Sequence, residues 1–427
     1  MLVDFRLFNF KSFKDENEFS LIADKVNEHK TYTFVEEKYN LLKSSVVYGA
    51  NASGKSNFFE AIDFFINYIK NSHKNQSGKI IDINNFKLST ETENEPTGFE
   101  MTFIIDKQMY RYGFSLTKNF IDKEWLYSRP NKREIKLFER DKQKIVRGNS
   151  FKEVKKVDDM TKENTLFLSV LAQWNSDTAK KVIEWFNKIH ILHSNYNVSS
   201  SFTASLLLNP ERKNKILDYL KTADIGIENL NASEKDFDTS TVPDYIRKQI
   251  EDEIKEKLPE TLKVLEVTSK HKKYNEKKEV VGTVNFDFEH EESEGTKKYF
   301  SLIGPIIDTL EKGNLLFIDE IDTRLHPLII EYIVDLFNCD SNKNNAQIVF
   351  STHNTNILRK DKLRRDQVWF VEKNRYGESN LFSLLEIKGI RNDASYNKDY
   401  LEGKYGAIPI IESMFSEGDF CGKWRPI

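Results

Sequence analysis

The chain has 427 residues, 39% of them hydrophobic, 12% aromatic and 31% charged, and its 64 Lys and Arg nearly balance 67 Asp and Glu for a net charge of -3. That composition buries a sizeable core, excludes fibrous and disordered classes, and leaves no global field to commit the protein to nucleic acid or membrane. The two cysteines, Cys339 and Cys421, have neither CxxC nor Cys/His spacing, which argues against a disulfide framework or zinc site and for a reducing compartment.

In chain order, Leu2 to Phe13 alternates apolar and polar residues and predicts a strand, with a second at Phe19 to Ile22. The opening MLVDFRLFNFKSF lacks the apolar centre of a secretory leader, and no apolar run approaches the roughly 20 residues that span a bilayer. A cytoplasmic protein with no membrane partner is the expectation. Ser44 to Tyr48 predicts a short buried strand, Asn57 to Lys70 a helix, and 71 to 95 a loop. Five segments between Phe99 and Arg147 predict an antiparallel run. Thr161 to Ile191, Pro210 to Ala223 and Val242 to Leu258 have helical spacing, so the middle block is expected to be mainly helical. Strand character returns at Leu262 to Ser269 and Val280 to Phe288. A helix at Phe300 to Leu310, a strand at Leu315 to Ile318, a helix at Pro327 to Phe337 and strands at Gln347 to Phe350 and Gln367 to Val371 then complete a βαβ-like half. The expected organisation is an N-terminal lobe at 1–150, a helical insertion at 151–260, a C-terminal lobe at 261–390 and a tail at 391–427.

Gly49-Ala-Asn-Ala-Ser-Gly-Lys-Ser56 fits GxxxxGK[ST] with a strand before it and a helix after it. Glycines let the backbone curl so that successive N–H groups face phosphate oxygens, and the helix N-terminus adds its dipole. Gly49, Asn51, Ser53, Gly54, Lys55, Ser56 and Asn57 are thus candidate nucleotide contacts. Lys55 would bridge the β- and γ-phosphates of ATP, and the Ser56 hydroxyl would ligate Mg²⁺. Leu315 to Glu320 (LLFIDE) is an apolar strand ending in two carboxylates, at the strand edge where α/β sheets place ligands. Asp319 would hold Mg²⁺, and Glu320 would polarise an attacking water as general base. Ile348 to His353 (IVFSTH) is a second buried strand, ending in a histidine able to hydrogen-bond the γ-phosphate. Two capping acids, or a lone structural histidine, would be ordinary alone; the phosphate cradle upstream gives them weight.

Glu292-Ser-Glu-Gly-Thr296 precedes the helix near Lys297. Ser293 and Thr296 suit an ordinary helix cap, while a Ser-x-Gly loop at a helix N-terminus also suits an anion.

With NFKSF (Asn9 to Phe13), ASGKS in the cradle and DEIDTRLHP (Asp319 to Pro327), the chain resembles ABC-type ATPases of the SMC/RecF/OLD-like branch. SEGTKKYFSL (Ser293 to Leu302), STHNTNIL (Ser351 to Leu358) and YLEGKYGAIP (Tyr400 to Pro409) are most similar to bacterial abortive-infection ATPases within it. The resemblance implies a P-loop α/β head formed by both ends of the chain, with DEIDTRLHP as Walker B and the loop after it. It implies slow ATP hydrolysis, with Glu320, His353 and Lys55 as the catalytic set. It also implies a homodimer or higher homo-oligomer of ATP-sandwiched heads, in which Ser293 and Gly295 meet the γ-phosphate of the other subunit. An antiphage sensor controlling an effector encoded nearby is the implied function; a RecF-like DNA-maintenance ATPase is the alternative. Glu294 stands where the family carries glycine, and a carboxylate there repels phosphate unless turned outward. Gln173 is the one candidate for a glutamine loop, although an ordinary helix-surface glutamine is the commoner case.

Two basic runs, 131–156 and Lys270 to Lys278, could face the phosphates of a nucleic-acid partner, though solvated faces explain such runs more often. Asp393 has no second acidic cluster beside it, so no cutting site is expected on this chain.

Overall fold

The computed structural model describes residues 1–130, 133–154, 157–193, 200–254, 257–390 and 394–409; Lys132, Asp393 and Cys421 lie outside them. In chain order the elements are β1 (Leu2–Phe8), β2 (Asn17–Ser20), β3 (Thr33–Glu36), β4 (Tyr39–Leu42), β5 (Ser44–Tyr48) and α1 (Lys55–Asn71). Then come β6 (Thr97–Ile105), β7 (Gln108–Leu116), β8 (Ile121–Arg129), β9 (Ile135–Asp141), β10 (Lys144–Arg147), α2 (Phe167–Gln173), α3 (Asp177–Asn187) and β11 (His190–Leu192). The middle holds α4 (Ser201–Leu206), α5 (Pro210–Thr222), β12 (Asn229–Asp238), α6 (Asp244–Ile254), β13 (Thr261–Tyr274), β14 (Val280–Asp287), α7 (Phe288–Glu291) and α8 (Glu294–Lys312). Last are β15 (Leu315–Ile318), α9 (Pro327–Asn338), β16 (Gln347–Ser351), β17 (Val368–Lys373), β18 (Ser379–Ser383) and α10 (Tyr396–Leu401). This is an α/β protein. No helix among the described residues is long and apolar enough to cross a membrane.

Two compact units result: Met1–His193 with Lys312–Asp322 and Glu331–Ile427, and Ser194–Glu311 with Thr323–Ile330. The first contains a seven-stranded sheet, ordered β10-β9-β8-β7-β6-β1-β2, and a six-stranded sheet, ordered β11-β15-β16-β5-β17-β18. In the six-stranded sheet all neighbours are parallel except β17 and β18. Both faces of such a sheet are covered, so β5, β15 and β16 are buried throughout, as continuous apolar runs require. Helix α1 buries Phe58, Phe59 and Phe65; Phe65 stacks on Phe114 with centroids 5.2 Å apart and meets Phe5 edge-on at 5.7 Å. Truncating one such ring to alanine costs about 3–5 kcal/mol.

A buried pair ties α2 to the seven-stranded sheet. Glu124 and Arg140 approach to 3.5 Å with both side chains inaccessible, and Glu124 accepts the N–H groups of Phe167 at 2.7 Å and Leu168 at 2.9 Å. Arg140 donates to the carbonyls of Thr165 at 2.5 Å and Lys142 at 2.6 Å. The basic run 131–156 is therefore no continuous phosphate-facing surface: Arg140 belongs to the interior, and Arg147 is engaged by Asp158.

Several sequence expectations need correcting. The first strand stops at Phe8, because Asn9 (φ 49°) and Lys11 (φ 48°) turn into the left-handed region. The helical stretch ending at Ile191 is two helices broken at Asn175 (φ 65°), and His190–Leu192 is instead the edge strand β11, parallel to β15. The block 151–260 carries a ten-residue strand, β12, besides its helices. Only Leu230 of β12 is buried, so no alternation marks it, and its ladder to β13 from Asn229 to Asp238 holds it extended. The second unit's sheet, β12-β13-β14, is antiparallel throughout.

Candidate functional site

The parallel register decides where the motifs emerge. Ile318 lies level with Phe350, and Phe350 level with Val46, so β15, β16 and β5 end at one edge. The loops after them carry Asp319–Asp322, Thr352–His353 and Gly49–Ser56. Carboxyl edges of parallel strands are where such sheets hold ligands.

The Gly49–Ser56 loop is shaped by close approach. A Cβ on Gly49 would lie 2.4 Å from the Val371 carbonyl, and one on Gly54 would lie 2.4 Å from Ser379 Oγ and 2.8 Å from Ser12 Oγ. Gly54 also has φ +115°, which side chains rarely adopt. Ala52 turns left-handed at φ 62°. Helix α1 starts at Lys55 with no side chain capping its first N–H groups, so the anion-attracting end is left for a ligand. Ser53 Oγ is buried without a hydrogen-bond partner. An open helix N-terminus and an orphaned buried hydroxyl fit a phosphate group.

Lys55 is buried, and its ammonium donates to the carbonyls of Gly49 at 2.7 Å and Ala50 at 3.1 Å. Desolvation lowers its pKa, while the charges of Asp319, Glu320 and Asp322 raise it. Ser56 and Asn57 are half-buried and Asn51 is exposed. Asn57 Nδ2 donates to Ser12 Oγ at 2.7 Å. Ser379 Oγ donates to the Ser53 carbonyl at 2.6 Å and is hydrogen-bonded to Ser12 Oγ at 2.8 Å, bracing the loop from two distant segments.

At the end of β15, Asp319 is 2% exposed and accepts from Ser351 Oγ at 2.6 Å. The same hydroxyl oxygen accepts the Glu320 N–H at 2.7 Å. Glu320 is held left-handed at φ 51°, a conformation costing a non-glycine residue about 1 kcal/mol or more. Asp322 Oδ2 accepts the His353 N–H at 3.1 Å, and its Oδ1 is buried without a partner. His353 keeps solvent exposure, yet desolvation by the surrounding protein lowers its pKa and the Lys55 ammonium adds to that. Asp322, Glu320 and Asp319 oppose the shift. Lys55, Asp319, Glu320, Asp322 and His353 thus share one electrostatic neighbourhood.

Ser12, Ser351, Asp322 and Ser379 were not among the sequence candidates. Ser12 and Ser351 lie inside quoted motifs, and Asp322 inside DEIDTRLHP; nothing in the sequence marks Ser379. Among the described residues no group of three or more His, Cys, Asp or Glu could hold a metal. Gln173 is exposed on the last turn of α2.

In the second unit, Ser293 caps α8: its Oγ accepts the Thr296 N–H at 3.1 Å. Gly295 lies close to the loop after the acidic pair, since a Cβ there would sit 3.1 Å from the Arg324 carbonyl. Glu294 pairs with Lys297 and Arg324, and the bond from Lys297 holds its carboxyl below the usual range. Its charge is answered within the same unit.

A comparison with curated protein sequences gives no match. Among solved structures the chain is similar to the Smc head bound to the C-winged helix domain of ScpA, at 13% identity over 90% of this chain and 97% of that one, TM-score 0.40. It is similar to the SMC head domain from Thermotoga maritima at 12% identity over 90% and 98%, TM-score 0.39. A Pyrococcus furiosus Smc head with extended coiled coil, bound to the C-terminal domain of ScpA, gives 13% over 95% and 98%, TM-score 0.38. The family model described as "AAA domain, putative AbiEii toxin, Type IV TA system" matches residues 44–359, well over half of the chain, and the chain belongs to that family.

Proposed function

We propose that this chain binds and hydrolyses ATP, and that it is the sensor ATPase of a bacterial antiphage system whose toxic effector is encoded nearby. The carrying observation is the convergence of Lys55, Asp319, Glu320 and His353 at the carboxyl edge of the parallel strands β5, β15 and β16. Membership of a family described by an abortive-infection toxin supports the defence setting.

The α1 N-terminus and the loop N–H groups bind the triphosphate, and Lys55 leaves its two carbonyl partners to neutralise the γ-phosphate. Ser56 and Asp319 would hold magnesium, which supplies charge neutralisation on the phosphates when bound. Glu320, aimed by Ser351 through its own N–H, orients the attacking water and takes its proton. His353, whose charged form is disfavoured by desolvation and by Lys55, donates a ring N–H to the γ-phosphate. Two such heads closing on ATP would set Ser293 and Gly295 of one against the γ-phosphate of the other, so hydrolysis removes a bridge between subunits.

The experiment pairs two variants. Glu320→Gln is expected to bind ATP normally, to stop turnover and to trap an ATP-bound oligomer by mass measurement. Lys55→Ala is expected to lose binding. Turnover at the wild-type rate in Glu320→Gln removes the general-base role, and micromolar affinity in Lys55→Ala removes the cradle.

A further inference from the structure

The second unit contains a buried polar cluster that the ATP reading leaves unused. Ser269 and His271 lie two positions apart on β13, hence on one face of the strand. Glu292, immediately before Ser293, reaches both. Ser269 Oγ donates to Glu292 Oε1, and His271 Nε2 lies 2.6 Å from the same oxygen. Ser269 is inaccessible, and the Glu292 side chain is only 8% exposed. The His271 ring rests against Phe286 of β14, with centroids 4.6 Å apart.

The backbone explains why this residue matters. Glu292 is the one extended residue (φ -82°, ψ 154°) between the end of α7 and the Ser293 cap of α8. Glu292 is turned onto β13, while the next residue, Ser293, is exposed and caps α8. A largely buried carboxylate that leaves its donors gives up charged hydrogen bonds that little water can replace, so the loop has one favoured register on the sheet.

We infer that Glu292 is the positioning residue of the Ser293–Gly295 loop, anchored on β13 by His271 and Ser269, and that it sets the face the loop offers to a second copy of this chain. The inference rests on the proposed role of that loop in the closed pair of heads. It also makes the β13–β14 hairpin a lever on that loop, because both its strands touch the cluster.

The test compares Ser293→Arg, Glu292→Ala, His271→Ala and Glu292→Gln in the full chain, reading ATP affinity at dilution and hydrolysis against protein concentration. Glu292→Ala should leave the ATP Kd within about twofold while raising the protein concentration for half-maximal hydrolysis about tenfold or more, since both of its hydrogen bonds to β13 are lost. His271→Ala, which keeps the carboxylate and its Ser269 donor but removes the other, should shift the curve in the same direction by less, and stands in if Glu292→Ala does not fold. Glu292→Gln, which still accepts from both donors, should restore the curve to within about threefold of wild type. Ser293→Arg must abolish the concentration dependence. If it does while Glu292→Ala and His271→Ala hydrolyse like wild type, the positioning role is overturned and the loop's role stands. If Ser293→Arg itself changes nothing, the parent reading of the loop fails, and this inference with it.

Discussion

Replacing Ser351 with alanine is the sharpest probe of the acidic corner, because one hydroxyl holds both carboxylate residues. Ser351 is inaccessible; its Oγ donates to Asp319 at 2.6 Å and accepts the Glu320 N–H at 2.7 Å. A hydrogen bond to a charged group contributes about 1.5–3 kcal/mol, and a stranded buried N–H costs about 1–3 kcal/mol. Letting Glu320 relax from its left-handed backbone returns about 1 kcal/mol. The net, about 1.5–5 kcal/mol and centred near 3, is what this hydroxyl contributes to holding the Asp319–Glu320 corner. If that energy is felt in the transition state, kcat falls about a hundredfold at saturating ATP. The Gly49–Ser56 loop is untouched, so the ATP Kd should stay within about threefold, unlike the outcome of a general loss of fold. Phosphate release at saturating ATP, with binding read by a fluorescent nucleotide, separates the two. A Ser351→Ala enzyme turning over at the wild-type rate would refute the claim that this hydroxyl aims Glu320.

Gly54→Ala places a methyl group 2.4 Å from Ser379 Oγ in a backbone at φ +115°. It should lower stability by about 1–3 kcal/mol and weaken ATP binding, read by urea titration and by nucleotide affinity. Asp4 is pushed by burial from its ordinary 3.8 up to about 6. The folded state therefore holds a proton that the unfolded chain has released, so stability falls as pH rises from about 4 to about 6 and is level outside that window. Asp4→Asn should remove that step, about 2–3 kcal/mol in urea titrations across the window; an unchanged pH profile would show that Asp4 is not its source.

The placement of these residues at one sheet edge was legible because a loop built to hold phosphate would confine residue types tightly: a curled loop needs Gly49 and Gly54, and a buried strand end makes Asp319 conspicuous after Leu315-Leu-Phe-Ile. The braces were less legible. Ser12 and Ser379 act by lying beside Gly54 in space, and a hydroxyl facing a glycine across tens or hundreds of residues leaves no local pattern. Strand β12 was hidden for a different reason. Its residues from Ser233 to Asp238 are exposed, so neither face selects apolar side chains, and the partner strand alone keeps it extended. The β3–β4 hairpin and β18 escaped because four- and five-residue strands are too short for alternation to stand out. Glu292 shows the converse: a charged residue in an acidic run looks solvated, and only the fold turns its side chain inward.

The order β16-β5-β17 has a consequence for how the molecule is made. Strand β5 ends at Tyr48, yet both its neighbours lie beyond Asn345, so nothing in the first three hundred residues can complete its ladder. At about 5–20 residues per second, a ribosome leaves that apolar segment without its mates for tens of seconds. Until the last fifth of the chain emerges, β5 has no partner on either side, and a message cut short before β16 yields a product lacking both mates of β5 and the His353 strand end.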